Sequence, residues 1–272
     1  MTGTGTQADP YIPTTLTEFI TAVGTVGAYV ALTQDINAAD DPEYTGELTT
    51  PIYINATSIS GGGHEVRGVT ARVKNLLIFR NANADIYELY FRDWAHKRIS
   101  DSSCTILGQS FSRNKFHDCL LSIKVDCGGH TGEIVKQSAF YTCALSILMI
   151  DAVYGRQIDT TVFDKTTILV DGMNLRYSQS FYGTPFNRSA LILKNYKITS
   201  RESFIYDSGG TGGYIAFMDG LDGVINLTGF SGQQCLAAAP QGQQMTLTTG
   251  IQQATFDQMK DKDWLTSVGF LP

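Results

Sequence analysis

Excess basic charge is missing from this sequence of 272 residues: Lys and Arg number 20 against 26 Asp and Glu, leaving a formal net charge of −6. A nucleic-acid footprint needs a basic face, so the balance argues against that class. Long hydrophobic runs are missing too. The longest, Ala144 to Ile150 with one Ser inside it, is far below the roughly 18–20 residues of a membrane span, so no membrane insertion is expected. Met1-Thr2-Gly3-Thr4-Gly5 has neither a basic nor an apolar leader region, and the expectation is a chain made in the cytoplasm without a secretory signal. Proline is scarce at 7, and the five cysteines (Cys104, Cys119, Cys127, Cys143, Cys235) are odd in number and scattered. That pattern suits reduced, buried thiols better than a disulfide framework.

What the chain does have is glycine, at 27 residues, and aromatics at 11%. Many short strands joined by tight turns have this composition, and one large all-β domain reaches this length without splitting. The strands repeat. Phe116-His-Asp-Cys119-Leu-Leu-Ser-Ile123 is answered by Phe140-Tyr-Thr-Cys143-Ala-Leu-Ser-Ile147, identical at five of eight positions. Further copies begin at Phe163 and Phe186, so the phenylalanines are spaced 24, 23 and 23 apart, and a looser copy is read at Phe91-Arg-Asp-Trp94. The third residue after each Phe is Cys119, Cys143, Thr166 and Ser189, one small size held throughout.

A period of 23–24 is too short for helix-pair repeats of roughly 33–47 residues, and the Leu-x-x-Leu-x-Leu-x-x-Asn signature of leucine-rich repeats is absent. Three short strands and three turns fill it. The expected fold is therefore all-β, a right-handed parallel β-helix whose coils stack at about 4.8 Å, with short N- and C-terminal capping helices. Equivalent side chains should form internal ladders.

The ends should be caps, because a solenoid exposes strand edges and an open core. Thr15-Leu-Thr-Glu18 is a capping-box pattern opening a short stretch with Leu16, Phe19, Ile20 and Val23 on one face. Thr255-Phe-Asp-Gln258 repeats it ahead of Met259, Trp264 and Leu265. The expected organisation is 1–28 as an N-terminal cap, 29–230 as the β-helix, and 231–272 as an extended arm with a C-terminal helix. Within that arm, Met245 to Thr248 is expected to pair onto a neighbouring chain or the solenoid's own edge.

Gly3-Thr4-Gly5-Thr6-Gln7-Ala8-Asp9-Pro10-Tyr11, then Leu32-Thr33-Gln34-Asp35-Ile36, then Gly61-Gly62-Gly63-His64-Glu65-Val66-Arg67-Gly68 and the closing Trp264 to Phe270 carry a resemblance. They resemble parallel β-helix proteins of bacteriophage particles and bacterial surfaces. That resemblance is specific for fold; the fold itself hosts adhesins, tailspikes and polysaccharide lyases alike. It implies a homo-oligomer, with a trimer favoured.

Chemistry would need convergent groups. Glycan-cleaving β-helices use paired carboxylates about 5–9.5 Å apart. Asp126 and Asp151 are the best pair, each closing the strand of one repeat, and Asp171 extends the row; the competing reading is that Asp ends a strand and starts a turn. Asp219 and Asp222 beside Ser208-Gly-Gly-Thr-Gly-Gly213 fit no standard calcium loop, and Cys127-Gly-Gly-His130 lacks two zinc ligands even if Cys119 and Cys104 are recruited. No nucleophile elbow is present, His117 reads as a coil-surface residue, and the triple glycine before His64 opens no helix. No catalytic residue, metal or cofactor is assigned. The expected function is a non-catalytic bacteriophage virion part, a fibre, spike or decoration protein. Its expected partners are itself, other virion proteins and cell-surface polysaccharide. A polysaccharide lyase or glycosidase, or a surface adhesin domain, is the alternative.

Overall fold

The computed structural model describes residues 1–81, 84–97, 105–109, 114–126, 135–150, 158–172, 174–175, 181–198, 203, 205–206, 208–219 and 224–270. From Tyr29 to Tyr206 the chain visits three walls in fixed order. The first wall collects Tyr29–Ala31, Ser58–Ser60, Asp85–Tyr87, Asn114–His117, Ser138–Tyr141, Val162–Asp164 and Phe186–Asn187. The second runs from Ile36–Asn37 through Glu65–Arg67, Tyr90–Lys97, Leu120–Asp126, Ala144–Ile150, Thr167–Asp171, Ala190–Lys194 and Tyr214–Met218 to Cys235–Ala238 and Ile251–Gln253. The third runs from Ile52–Ile54 to Ile205–Tyr206. Strands pair in parallel within each wall. This is a parallel β-helix, of the right-handed sense that parallel crossovers take.

Alternation fixes which side chains enter the tube. In Leu120–Asp126 the odd-numbered Leu121, Ile123 and Val125 are buried, while Lys124 is exposed. Phe116, Phe140, Phe163 and Phe186 are in register on the first wall and stack face to face, with ring centroids 4.7, 5.4 and 5.4 Å apart. The predicted column stands. Phe91 does not belong to it: the residue opposite Phe116 is Ile86, and Phe91 lies on the second wall between Val66 and Leu121. The circuit from Ile86 to Phe116 spans 30 residues, so the period that holds downstream fails here.

The second predicted ladder is a hydrogen-bonded one. The Cys119 N–H donates to Cys143 Sγ at 3.4 Å, the Cys143 N–H to Thr166 Oγ1 at 3.3 Å, and the Thr166 N–H to Ser189 Oγ at 3.1 Å. Each side chain in turn donates to the carbonyl two residues before it. Thiol and hydroxyl thus satisfy buried amides where the chain leaves one wall for the next. The residues just before them, Asp118, Thr142, Lys165 and Arg188, have φ of 46 to 53°. One left-handed residue per coil makes the corner, against a cost of roughly 1–2 kcal/mol for a non-glycine side chain.

At the N-terminus Thr15 Oγ1 caps the helix α1 (Leu16–Gly24), accepting from the Glu18 N–H at 3.2 Å, and α1 buries Leu16, Phe19, Ala22 and Val23 against the first coil. A Cβ on Gly3 would fall 1.9 Å from the Pro10 carbonyl oxygen, so the turn that brings residues 2 and 12 together admits only glycine there. The boundary at 230 is corrected. Cys235–Ala238 pairs with Tyr214–Met218, Ile251–Gln253 pairs with Cys235–Ala238, and Met245–Thr246 pairs with Ile225–Asn226. Residues 231–253 continue the stack past 230, and Met245–Thr246 pairs onto the solenoid itself, one of the two placements expected for that segment. The inward sites here are filled by Cys235, Ala237 and Ile251, so few large apolar residues are needed. Thr255 and Gln258 exchange the reciprocal bonds of a capping box at 2.8 and 3.1 Å. The following helix α2 (Lys262–Ser267) buries no residue, and the tail flanks the second wall instead of plugging the tube.

Candidate functional site on the outer walls

Residues one step past the buried column face outward. Next to Ile86, Phe116 and Phe140 stand Tyr87, His117 and Tyr141, in register on the first wall. Their rings stack as well: Tyr87 to His117 at 4.8 Å and 12°, His117 to Tyr141 at 5.1 Å and 14°. The coil rise imposes that spacing, and the result is an exterior ladder of three planar rings. The Tyr87 hydroxyl donates to Asp85 Oδ2 at 3.4 Å; partial burial, then the Asp85 carboxylate, push its pKa up. Lys115 Nζ lies 3.8 Å from Asp85 Oδ1.

The column continues with Asp164 and Asn187. Arg188 donates from Nη2 to Asp164 Oδ1 at 2.8 Å. Tyr141, Val162, Asp164, Asn187, Arg188 and Thr211 line a shallow depression of about 580 Å³. Aromatic edges thus run into a patch of planar polar groups along one open face. The predicted surface position of His117 holds. Its place in an aromatic stack was not foreseen, although Tyr87, His117 and Tyr141 each follow a residue of the buried column.

Of the expected carboxylate row, Asp126 and Asp171 do not share a line. Asp126 is opposite Ile150 on one side and Lys97 on the other, whereas Asp171 is opposite Leu148 and Lys194. Register therefore puts the two on different lines of the second wall. Asp151 lies outside the described residues, as do Asp222, Cys104, Cys127 and His130. Asp171 accepts from Asn195 Nδ2 at 2.8 Å, tying its corner to the next coil. The glycine-rich stretch before Asp219 has a packing reason instead of a metal one: a Cβ on Gly210 would lie 2.0 Å from the Phe186 carbonyl oxygen. Among the described residues no three His, Cys, Asp or Glu side chains converge for a metal ion, and no helix is long and apolar enough to cross a membrane.

Four basic groups on the second wall are held by acids. Glu65 meets Arg67 at 3.3 Å and Arg92 at 2.5 Å, and Glu47 meets Arg72 at 2.9 Å and Lys97 at 3.3 Å. Further along the same wall Ile192, Tyr214 and Leu236 face Phe256, Leu265 and Phe270 of the tail across a groove of about 440 Å³.

The site so far defines a class, a parallel β-helix whose outer walls carry stacked rings and ion pairs. No family model matches the chain, and no curated protein matches it in sequence. A solved structure from Bacteroides ovatus, whose assignment as an immunoglobulin A1 protease is itself provisional, is similar to it at 11% identity, with a TM-score of 0.46, over 97% of this chain and 89% of that one.

Proposed function

We propose that this chain is a non-catalytic structural protein of a bacteriophage particle, a fibre, spike or decoration component, and that its first wall meets polysaccharide on the host surface. The observation that carries the glycan contact is the Tyr87–His117–Tyr141 ladder leading into Asp164, Asn187 and Arg188. Rings offer apolar edges with polar tips, and the Arg188–Asp164 pair offers donors and acceptors beside them, the combination that suits a polyhydroxylated chain lying along an open wall. The resemblance of residues 3–11, 32–36 and 61–68 supports the particle setting. The same resemblance supports self-association, with other virion proteins as further partners.

The test is a binding screen of the purified chain against bacterial capsule and exopolysaccharides, paired with assays for reducing and unsaturated ends. Binding without product release is expected, together with at least tenfold weaker binding in Tyr141→Ala. Turnover that disappears in Asp126→Asn or Asp171→Asn would replace this reading with an enzymatic one.

A further inference from the structure

Two thiols occupy neighbouring rungs of the internal corner ladder, and nothing in the proposed function uses them. Cys119 and Cys143 are 24 positions apart, one full circuit of the solenoid, and are held in register by the pairing of Leu120 with Ala144. Both point into the tube, both are buried and free, and the Cys119 N–H already donates to Cys143 Sγ at 3.4 Å. Adjacent parallel strands set backbones about 4.8 Å apart, inside the Cα separation of roughly 4.4–6.8 Å that a disulfide spans. The next two rungs, Thr166 and Ser189, make the same bonds through oxygen, so the ladder needs no sulfur to hold together. Its first two rungs alone could be oxidised.

We propose that Cys119 and Cys143 form a latent axial cross-link, a disulfide joining two successive coils when the chain meets peroxide. The balance is two thiols plus one hydrogen peroxide giving one disulfide and two waters. One sulfur attacks a peroxide oxygen, the O–O bond breaks, and a sulfenic acid and water form. The second sulfur then displaces that hydroxyl as water, closing the S–S bond. Burial slows the step and selects a small neutral oxidant. It also restricts the partner: among the described residues the remaining thiol, Cys235, lies two coils beyond Ser189, in register with Gly213, with no other described thiol beside it. The product closes a loop of one circuit, so the folded coil pair gains resistance to unwinding.

Trypsin places every cysteine on its own peptide, because Arg98, Arg113, Lys124, Lys136, Arg156 and Arg201 separate them. The experiment treats the full chain with hydrogen peroxide, blocks remaining thiols under denaturing conditions, and maps linked peptides without reduction. The expected result is one link, Cys119 to Cys143, with Cys235 still alkylated and a Tm raised by roughly 5–10 °C that reductant reverses. Cys119→Ser keeps the ladder through its hydroxyl and should fold normally, yet lose both the link and the Tm gain. Links to Cys104 or Cys127, links only between molecules, or a Cys119 that stays fully alkylatable would each overturn the proposal.

Discussion

Truncating Phe140 to Ala tests the core column at its centre. The ring is fully buried, lying 4.7 Å from Phe116 and 5.4 Å from Phe163, both nearly parallel to it. Removing a buried Phe side chain costs about 3–5 kcal/mol through lost transfer and the cavity left behind. Two stacked contacts, each worth about 0.5–1.5 kcal/mol beyond area, place this site at the upper end of that range. The neighbours cannot close the gap, because both sit on strands pinned by parallel pairing on either side. Phe140→Leu keeps most of the volume and should cost about 1–1.5 kcal/mol. Urea unfolding followed by tryptophan fluorescence and far-UV circular dichroism reads the effect as a fall in midpoint at unchanged m. Coils contact only their neighbours, so separation of the two probes would report local unwinding, which the midpoint of each then measures. A loss below about 1 kcal/mol for Phe140→Ala, or equal losses for Ala and Leu, would refute the column as the core's organising element.

The corner ladder predicts that Thr166→Val strands the buried Cys143 amide and costs about 1–3 kcal/mol, whereas Thr166→Ser is nearly neutral; denaturant midpoints of the two variants check this. His96 is buried inside the second wall, and that burial lowers its pKa despite the nearby backbone of Val73 and Lys74. The unfolded chain therefore takes up a proton first, and stability should fall as pH drops below about 6.5, levelling once the folded His96 titrates. Stability against pH for wild type and His96→Leu should differ in slope between about pH 7 and 5, and identical slopes would refute it.

The sequence revealed the fold where the circuit length stays constant. Phe116 through Phe186 recur at 23–24 residues, and both ladders follow from that spacing. It misled where the circuit changes. The 30 residues from Ile86 to Phe116 hid Tyr87 from the repeat, and with it the exterior stack, while Phe91 was drawn in by its identity alone. Asp126 and Asp171 fall out of line for a related reason. The two are 45 apart where two circuits take 47, so Asp171 stands on the line of Lys124 and Leu148 and not on that of Asp126. Residues 231–253 read as an arm because the Phe repeat stops before them. A coil fixes only its inward positions, and those carry Cys235, Ala237 and Ile251.

Electron cryomicroscopy of phage particles from cells carrying this gene tests the central claim most directly. The account predicts the chain on the particle exterior as stacked coils about 4.8 Å apart, with Tyr87, His117 and Tyr141 facing solvent. Particles lacking the chain, or holding it with that first wall buried against another subunit, would contradict it.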